Sequence, residues 1–338
     1  MSRPLRPSLQ HIADVARVSR MTVSLALRNH PRISPATRER VQRIARDLGY
    51  RPDPEIAKLM AHLRRSRPAS HRTTIALLTT AARPEPWRFN RHFAKFYEGA
   101  TRRADELGYQ LEEFWIKQPG LTSDRMTKIL HTRSIEGLLI GPLARPSAHL
   151  SLDLSHFAVA EYGQNVWRPR LHRADHNQFQ GMLLAMRKLQ RLGYRRIGLA
   201  VLEGYDRRVW HTWEGAYLFC QQRATRPDRL PAFVTKILDP PGFARWFDRH
   251  QPDAVIGSHL MVRDWLKNDA GFVYLDWLDE TNNCAGICQH YDQIAAAAVD
   301  LVAGQLQRHE RGVPAQPKLV LTDGEWMDGP TVRRQRSR

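Results

Sequence analysis

The sequence is poor in the features that mark secreted, membrane-spanning or disulfide-bonded proteins. Its 338 residues include three cysteines, Cys220, Cys284 and Cys288. A small odd number gives no disulfide framework and fits a reducing compartment. No run of 18 or more apolar residues occurs, and the N-terminal segment Met1-Ser-Arg-Pro-Leu-Arg-Pro lacks the apolar core of a secretory signal. We therefore expect a cytoplasmic protein without membrane contact.

The sequence also lacks the motifs of common catalytic and cofactor sites. It contains no Gly-x-Gly-x-x-Gly, no phosphate-binding P-loop and no Gly-x-Ser-x-Gly elbow. Cys284 and Cys288, with His290 nearby, suggest metal ligands, but they fall in a predicted strand and no second Cys/His pair accompanies them. We interpret them as buried, unreactive thiols. The prediction is a protein with no enzymatic activity, no cofactor and no metal site.

Positive charge is concentrated at the two ends of the chain. The formal net charge is +18, and residues 1–72 carry sixteen basic and five acidic side chains, a net of +11. Residues 73–332 carry only +3, and residues 333–338 form a basic tail with four arginines. A basic head attracts phosphate-rich polymers through counterion release and long-range steering. Charge alone leaves RNA, DNA and anionic lipid open as partners.

Residues 8–48 have the pattern of three short helices. Ser8, Ser19 and Ser34 are expected N-caps, and Gly49 is expected to end the third helix. Pro35 suits the first helical position. Apolar residues recur at helical spacing on one face of each helix, and in the second helix, Arg20 to Arg28, the outward residues are Arg20, Met21, Thr22, Ser24 and Leu25. The unit is either a helix-turn-helix or a basic three-helix bundle with no role on DNA.

The amino-acid sequence of the head is more specific evidence of function than the pattern of its helices. The string Leu9-Gln-His-Ile-Ala-Asp-Val-Ala-Arg-Val-Ser-Arg-Met-Thr-Val-Ser-Leu-Ala-Leu-Arg-Asn29, followed by Ile33-Ser-Pro-Ala-Thr-Arg38 and Leu48-Gly-Tyr-Arg-Pro52, closely resembles the head of the LacI/GalR (lactose-repressor) family. The resemblance implies a sequence-specific DNA-binding transcriptional regulator, most commonly a repressor. It further implies a homodimer on pseudo-palindromic double-stranded operator DNA, with the second helix in the major groove.

The resemblance also assigns DNA contacts by position. It implies base-edge contacts at Arg20, Met21 and Leu25. An arginine at a helix start can donate two hydrogen bonds to guanine O6 and N7, whereas Met21 and Leu25 can read only shape and the thymine methyl group. Many family members carry polar residues at the positions of Met21 and Leu25, so the operator sequence cannot be transferred. The implied phosphate contacts are Ser19, Thr22, Ser24, Asn29, Ser34 and Thr37.

Residues 51–72 are predicted to form a hinge helix and a linker. Asp53 as cap and Pro54 in the first turn favour a helix, but one of about ten residues is too short to be stable alone in water. In the family, two such helices pair over the operator centre and insert an apolar wedge into the minor groove. The resemblance places that wedge at Leu59, with Met60 beside it. The alternative is that Leu59, Met60 and Leu63 dock on the body.

Residues 73–332 alternate apolar, β-rich runs with amphipathic stretches, which indicates parallel sheets covered by helices. Ten predicted strands exceed one comfortable sheet, so two α/β lobes are expected. This order resembles the periplasmic-binding-protein-like body of the same family, with a small-molecule effector between the lobes. We expect the chain to cross between lobes near residues 162–165, 288–292 and 321–325. The fold class predicted for the whole chain is an all-α helix-turn-helix head and hinge helix followed by this α/β body.

Effector contacts are implied mainly by position. Phe93 matches an aromatic residue that stacks on effectors in the family, and Asp276 matches its ligand-binding carboxylate. Glu161 ends another strand on the cleft side. Arg207 lies near a family ligand arginine, and Thr212 stands where a second arginine is usual, which argues against a strongly anionic effector. The aromatic residues Tyr205, Trp210 and Trp213 either stack on a sugar or sugar-like metabolite or belong to a lobe core.

Two other classes of function fit the sequence less well. A binding module without regulation is opposed by the missing signal peptide if it captures solutes, and by Arg20 at a base-reading position if it only bends DNA. An enzyme acting on sugars is opposed because no paired carboxylates can be placed together. The expected organisation is a DNA-binding head (residues 1–50), hinge and linker (51–72), two-lobed effector-binding and dimerisation domain (73–332) and basic tail (333–338).

Overall fold

The computed structural model describes residues 7–27, 33–50, 72–143, 148–164, 166–267, 269–279 and 283–335. Three predicted DNA contacts, Asn29, Leu59 and Met60, lie outside the described residues. The described residues form three N-terminal helices followed by two six-stranded sheets, each covered by helices on both faces. This is the all-α head and two-lobed α/β body that the sequence predicted.

The head helices begin where serine side chains can satisfy their first amides. They are α1 (Leu9–Ala16), α2 (Arg20–Leu27) and α3 (Pro35–Asp47). Ser8 accepts a hydrogen bond from the His11 amide, Ser19 from Thr22 and Ser34 from Thr37, at 3.2, 3.0 and 3.3 Å. These are N-caps, as predicted. The three helices enclose a small core of buried residues, Ile12, Ala13, Ala16, Val23, Ala26, Val41 and Ala45.

The third helix ends at the predicted glycine. Gly49 has a φ of +67°, a left-handed conformation that costs glycine little. The amides of Gly49 and Tyr50 donate to the carbonyls of Arg46 and Ala45, both at 2.9 Å. This bonding pattern satisfies carbonyls that the helix end would otherwise leave open.

The first lobe is built on a wholly parallel sheet in the order β13-β7-β5-β3-β1-β2. One face is covered by α4 and α11, and α5 lies on the other face. The elements are β1 (Thr73–Thr79), α4 (Arg91–Glu106), β2 (Tyr109–Trp115), α5 (Ser123–Thr132), β3 (Gly137–Ile140), β4 (Ala148–His149), β5 (Ala158–Tyr162), β6 (Val166–Arg168), β7 (His172–His176), α11 (Tyr291–Arg308) and β13 (Leu319–Thr322). Strands β4 and β6 pair separately.

The second lobe repeats this plan with the sheet order β14-β12-β11-β10-β8-β9, in which only β14 is antiparallel. Helices α6 and α8 pack on one face, and α9 and α10 on the other. The elements are α6 (Gln178–Arg191), β8 (Ile197–Leu202), α7 (Glu203–Arg208), α8 (Thr212–Arg223), β9 (Phe233–Thr235), α9 (Pro240–His250), β10 (Ala254–Gly257), α10 (Met261–Asp264), β11 (Gly271–Trp277), β12 (Ala285–Cys288) and β14 (Glu325–Met327).

The chain crosses between the lobes three times, and one predicted crossing is wrong. The crossings predicted near residues 288–292 and 321–325 are confirmed, because β12 precedes α11 and β13 precedes β14. The first crossing lies after His176 rather than at 162–165, since β7 still belongs to the first lobe. The strand His-Arg-Ala-Asp-His has too few apolar residues to reveal itself as a strand. The crossings touch one another, because Asn177 Nδ2 donates to Asp323 and Gln178 Nε2 to Gln289, at 3.0 and 3.2 Å.

One helix starts later than the sequence predicts. Helical periodicity predicts a helix from Val209 to Arg223, but α8 starts at Thr212, and the separate helix α7 ends before Val209, at Arg208. Trp210 and His211 between them have φ values of +58° and +56°. The buried Asp206 carboxylate holds this turn, because it accepts a hydrogen bond from the Glu214 amide at 3.3 Å and lies 3.1 Å from His211 Nδ1.

The C-terminal segment is bonded to the second lobe as far as it is described. The Arg333 amide donates to the Tyr194 hydroxyl at 3.1 Å, and the Gln335 amide donates to the Leu192 carbonyl at 2.7 Å. Among the residues described, no helix has the length and apolar content needed to cross a bilayer.

Candidate functional site in the head and in the cleft between lobes

The outward face of α2 presents a basic and an apolar side chain together. Arg20 is exposed, and Met21 next to it is 65% exposed. Leu25, one turn later, is half-buried. The opposite face is fixed in the core through Val23 and Ala26. A rigid helix therefore holds the three residues that the resemblance assigns to base edges at or near one surface.

Two pairs of hydroxyl groups lie at the starts of α2 and α3. Ser19 Oγ and Thr22 Oγ1 are 2.8 Å apart, and Ser34 Oγ donates to Thr37 Oγ1 at 2.9 Å. Ser24, the remaining described phosphate candidate, is half-buried on α2. Helix starts offer amide N–H groups and a favourable dipole to an anion. The described phosphate candidates thus lie on α2 or at the two helix starts of a basic unit.

The relative orientation of α2 and α3 is held by a side chain that bridges them. Gln42 Nε2 on α3 donates to the Ala26 carbonyl on α2 at 3.2 Å. Arg38 Nη2 donates to the Ile33 carbonyl at 3.1 Å and so fixes the segment that enters α3. These bonds position the two hydroxyl pairs relative to each other.

In the body, the cleft lies where the carboxyl ends of the parallel strands of both lobes meet. Asp276 near the end of β11 accepts a hydrogen bond from the Tyr291 hydroxyl of the first lobe. His92 Nε2, in the first turn of α4, lies 3.2 Å from Asp276 Oδ2. Arg91 forms an ion pair with Asp279. Phe93 follows in the same turn and is half-buried. Two of the predicted effector residues, Phe93 and Asp276, therefore lie on opposite lobes in the same part of the cleft.

The electrostatics of this region combine carboxylates with neutral donors. Burial raises the pKa values of Tyr162 and Tyr291 well above their usual range, so both hydroxyls stay protonated. Burial also raises the pKa of Asp175 to about 6 and lowers that of His176 to about 4, which keeps the imidazole uncharged near neutral pH. Burial lowers the pKa of His92, but the facing Asp276 carboxylate outweighs it and the net pKa is raised. Such a surface suits a ligand with hydroxyl groups.

Three other predicted effector residues have their polar groups engaged within their own lobes. The Glu161 carboxylate is 1% exposed, accepts a hydrogen bond from the Val166 amide at 2.9 Å and lies 3.9 Å from Arg173. Arg207 is exposed and pairs with Glu203. Thr212 Oγ1 donates to the Val209 carbonyl in the turn before α8.

Several cleft residues were missed at the level of sequence. His92, Tyr291 and Asp175 were not singled out, although each lies within two residues of a helix start or strand end. The helix predicted from Phe93 begins at Arg91, because the Asn90 side chain caps it by accepting from the amides of His92 and Phe93. An asparagine before a helical pattern is a cap signal that could have identified this turn.

One group in the described part of the chain has the proximity of metal ligands. Atoms of Asp206, His211 and Glu214 lie within 4.8 Å of one another. The hydrogen bonds of the Asp206 carboxylate to the turn before α8 account for this arrangement. Burial raises the pKa of Cys284 to about 11 and also raises that of Cys288, which favours the protonated thiols over the thiolate that binds metals.

Comparison with known proteins gives both a domain match and a fold match. Residues 8–53 match the family described as "Bacterial regulatory proteins, lacI family". The HTH-type transcriptional regulator CelR of Thermobifida fusca is 26% identical over 201 residues, 58% of this chain and 56% of CelR. The NTD biosynthesis operon regulator NtdR of Bacillus subtilis (strain 168) is 21% identical over 209 residues, 62% of this chain and 59% of NtdR. The chain therefore matches less than two thirds of the length of these relatives.

The solved structures cover nearly the whole chain. The CelR–cellobiose complex has a TM-score of 0.51 at 18% identity and covers 97% of this chain and 99% of that one. The lac repressor dimer bound to operator and the anti-inducer ONPF has a TM-score of 0.52 at 16% identity, with 96% and 99% covered. At such identities the likeness establishes the fold, in which N-terminal helices precede a two-lobed body.

Proposed function

We propose that this chain is a sequence-specific DNA-binding transcriptional regulator of the LacI type in the cytoplasm, because residues 8–53 match the model of that family of bacterial regulatory proteins. It acts as a repressor without enzymatic activity, and a small molecule bound between the lobes controls its affinity for an operator. The observation that carries this proposal is the outward face of α2, which presents Arg20 and Met21 from a rigid and strongly basic head.

In this function the head reads DNA and the hinge helps it to do so. Arg20 donates to a guanine, Met21 and Leu25 contact apolar base edges, and the hydroxyls at the helix starts bind phosphates. The hinge residues Leu59 and Met60 and the phosphate contact Asn29 complete the interface. We assign residues 1–50 to the head, 51–72 to the hinge and linker, 73–332 to effector binding and dimerisation, and 333–338 to a basic tail.

The proposed effector is a sugar or sugar-like metabolite. Asp276 and the protonated hydroxyls of Tyr162 and Tyr291 supply acceptors and donors for its hydroxyl groups, and Phe93 supplies a face for its ring. The similarity to CelR, whose structure contains cellobiose, supports this chemistry. We propose that three further residues support effector binding by shaping the walls of the cleft, since their polar groups are engaged within their own lobes: Glu161, Arg207 and Thr212.

The proposed homodimer provides the number of base contacts needed to select one DNA site. One head offers only a few base contacts, too few to select one site in a genome. Two heads related by a two-fold axis read a pseudo-palindrome with half-sites about one helical turn apart. The match to the lac repressor dimer on operator supports the same arrangement.

A selection from randomised double-stranded DNA by the purified full chain tests the function. At moderate salt we expect enrichment of a pseudo-palindrome with two equivalent half-sites. An architectural DNA-bender would enrich no palindrome, and a solute-capture protein or enzyme would retain no DNA. Either outcome contradicts the proposal.

A further inference from the structure

A short segment of the second lobe reaches across the cleft and contacts two loops and strand β6 of the first lobe. We name residues 208–211 the clasp. Arg208 Nη1 donates to the Leu143 carbonyl, and Trp210 Nε1 donates to the Gln164 carbonyl, both at 3.0 Å. The Trp210 ring stacks on Trp167 of β6 with centroids 5.1 Å apart and planes 23° apart. Every one of these partners belongs to the first lobe.

Two residues of the clasp have a strained backbone conformation. Trp210 and His211 have left-handed φ values, which are uncommon for residues with a Cβ and rarer for bulky ones. The fully buried Asp206 enforces them, since its carbonyl accepts from the His211 amide at 2.8 Å and its carboxylate accepts from the Glu214 amide. Strain of this kind persists where the surroundings over-determine it and is frequent at ligand clamps and switches.

The stacked tryptophans cover each other at the edge of the cleft. Trp167 remains 41% exposed and Trp210 39% exposed in the closed arrangement. Moving the lobes apart would expose the two stacked faces to water and would leave the indole N–H without the Gln164 carbonyl. Separation of the lobes is therefore opposed at one place both by the exposure of apolar surface and by the loss of a hydrogen bond.

The clasp and the α4 contacts lie on different sides of the first-lobe sheet. Helix α4 covers one face of that sheet and reaches the second lobe through the pairs of Arg91 with Asp279 and His92 with Asp276. The clasp meets Leu143 and β6, which pack on the other face. The α4 side depends on ionised pairs, which salt screens, whereas the clasp depends on stacking and on bonds to backbone carbonyls.

We propose that the clasp holds the two lobes closed and thereby sets how strongly an effector must favour another lobe angle before it changes DNA binding. This inference rests on the proposed function only for its consequence in regulation. A ligand shifts a conformational equilibrium only by its difference in affinity for the two states. A contact that favours the closed state therefore changes the response to effector without touching the effector.

Spin–spin distance measurements on the free full-length protein test the clasp without DNA or effector. Lys117 and Lys236 are exposed and follow the outermost strands β2 and β9 at the cleft edge of each lobe. Spin labels are attached at Lys117→Cys and Lys236→Cys after Cys220→Ser, Cys284→Ala and Cys288→Ser. The parent protein should give mainly one distance, that of the closed lobes.

Replacing Trp210 by Ala should lower the ratio of closed to open lobes about tenfold, because a stack and a hydrogen bond are lost together. Trp210→Phe keeps a stacking face and should give a smaller decrease. Trp167→Ala, on the opposite lobe, should reproduce the Trp210→Ala result, and the double variant should add little to either. The control Phe219→Ala removes an aromatic ring of the second lobe that is 38% exposed and should leave the distances unchanged.

Unchanged distances in folded Trp210→Ala and Trp167→Ala proteins overturn the proposal, and so do effects that simply add in the double variant. If Trp210→Ala does not fold, the lobe distances in Trp167→Ala and Trp210→Phe test the proposal instead. The measurement is independent of DNA recognition. A protein that enriched no operator would still lose lobe closure in these variants if the clasp acts as described.

Discussion

Glu161 is a buried carboxylate whose contacts indicate a stabilising role in the first lobe. Its position at the end of β5 predicted an effector contact. Its carboxylate instead accepts from the Val166 amide and lies near Arg173, whose side chain is only 12% exposed. Removing one charge of such a buried pair leaves the other without compensation.

Glu161→Gln should therefore lower the free energy of unfolding by on the order of 3 kcal/mol, measured by urea titration. The matched control is Glu112→Gln, which removes an exposed pair with Arg133 at 2.6 Å and should cost no more than about 1 kcal/mol. A Glu161→Gln protein with unchanged stability and weakened sugar binding would instead favour direct contact with effector.

Residue roles were predictable where they depend on near neighbours in sequence. The caps Ser8, Ser19 and Ser34 and the terminator Gly49 act within a few residues of themselves, so local spacing identifies them. The facing pair of His92 and Asp276 joins residues far apart in the chain. No local rule brings them together, because their proximity requires both lobes and all three crossings.

At the scale of elements, the start of α3 combines a helix cap with two predicted DNA contacts. Ser34 caps the helix and also contacts Thr37, and both are predicted phosphate contacts. Ser34→Ala should destabilise the head by about 1 kcal/mol, whereas Ser34→Gly should cost only a few tenths. Hydrogen exchange of the α3 amides measures the difference, and equal protection in both variants would contradict the capping role.

The first turn of α4 should make stability depend on pH. The net pKa of His92 is raised above its ordinary 6.5, so its pairing with Asp276 stabilises fully below that value and is lost as pH rises through the raised pKa. Asp276 and Asp279 favour the protonated ring, Arg91 opposes it, and the Tyr291 hydroxyl stays neutral. The shifts of Asp175 and His176 act below about pH 6.5, and the raised pKa values of the cysteines act near pH 9 and above, so measurements between about pH 6.5 and about pH 8 isolate His92.

Thermal unfolding between about pH 6.5 and about pH 8 should therefore show a fall in stability that His92→Gln abolishes. The control His149→Gln changes an exposed histidine of the first lobe and should keep the fall. Parallel pH profiles for wild type and His92→Gln would contradict this assignment.

Elements were predictable where hydrophobic periodicity is strong. The ten predicted strands all exist, with ends shifted by a few residues. The apolar runs of the central strands are buried between helices, whereas those of the edge strands β9 and β13 are partly exposed. Strands β4, β6, β7 and β14 are not among the predicted ones. In β7 and β14, the sequences His-Arg-Ala-Asp-His and Glu-Trp-Met have little apolar periodicity and are held by pairing with distant strands. The break before α8 was missed because it depends on the carboxylate of Asp206 rather than on glycine or proline.

At the scale of the whole molecule, the two lobes are joined by three crossings that lie side by side. The crossings place both lobes on three adjacent strands of polypeptide, bonded to one another through Asn177 and Asp323. A change in lobe angle therefore moves the first lobe, which follows the hinge in sequence, relative to the second. In the proposed dimer, we expect this movement to alter the spacing of the two heads and thereby the affinity for two half-sites.

Recognition of base pairs by α2 is best tested by measuring the affinities of wild type and Arg20→Ala for the selected operator and for duplexes changed at one base pair each. Wild type should lose about 1–3 kcal/mol at the guanine contacted by Arg20, and Arg20→Ala should lose that preference at this base pair alone. Arg43→Ala, which removes an exposed arginine of α3, should retain the full preference. An Arg20→Ala protein that ranks the duplexes in the same order as wild type, with the same differences in affinity, would contradict the account.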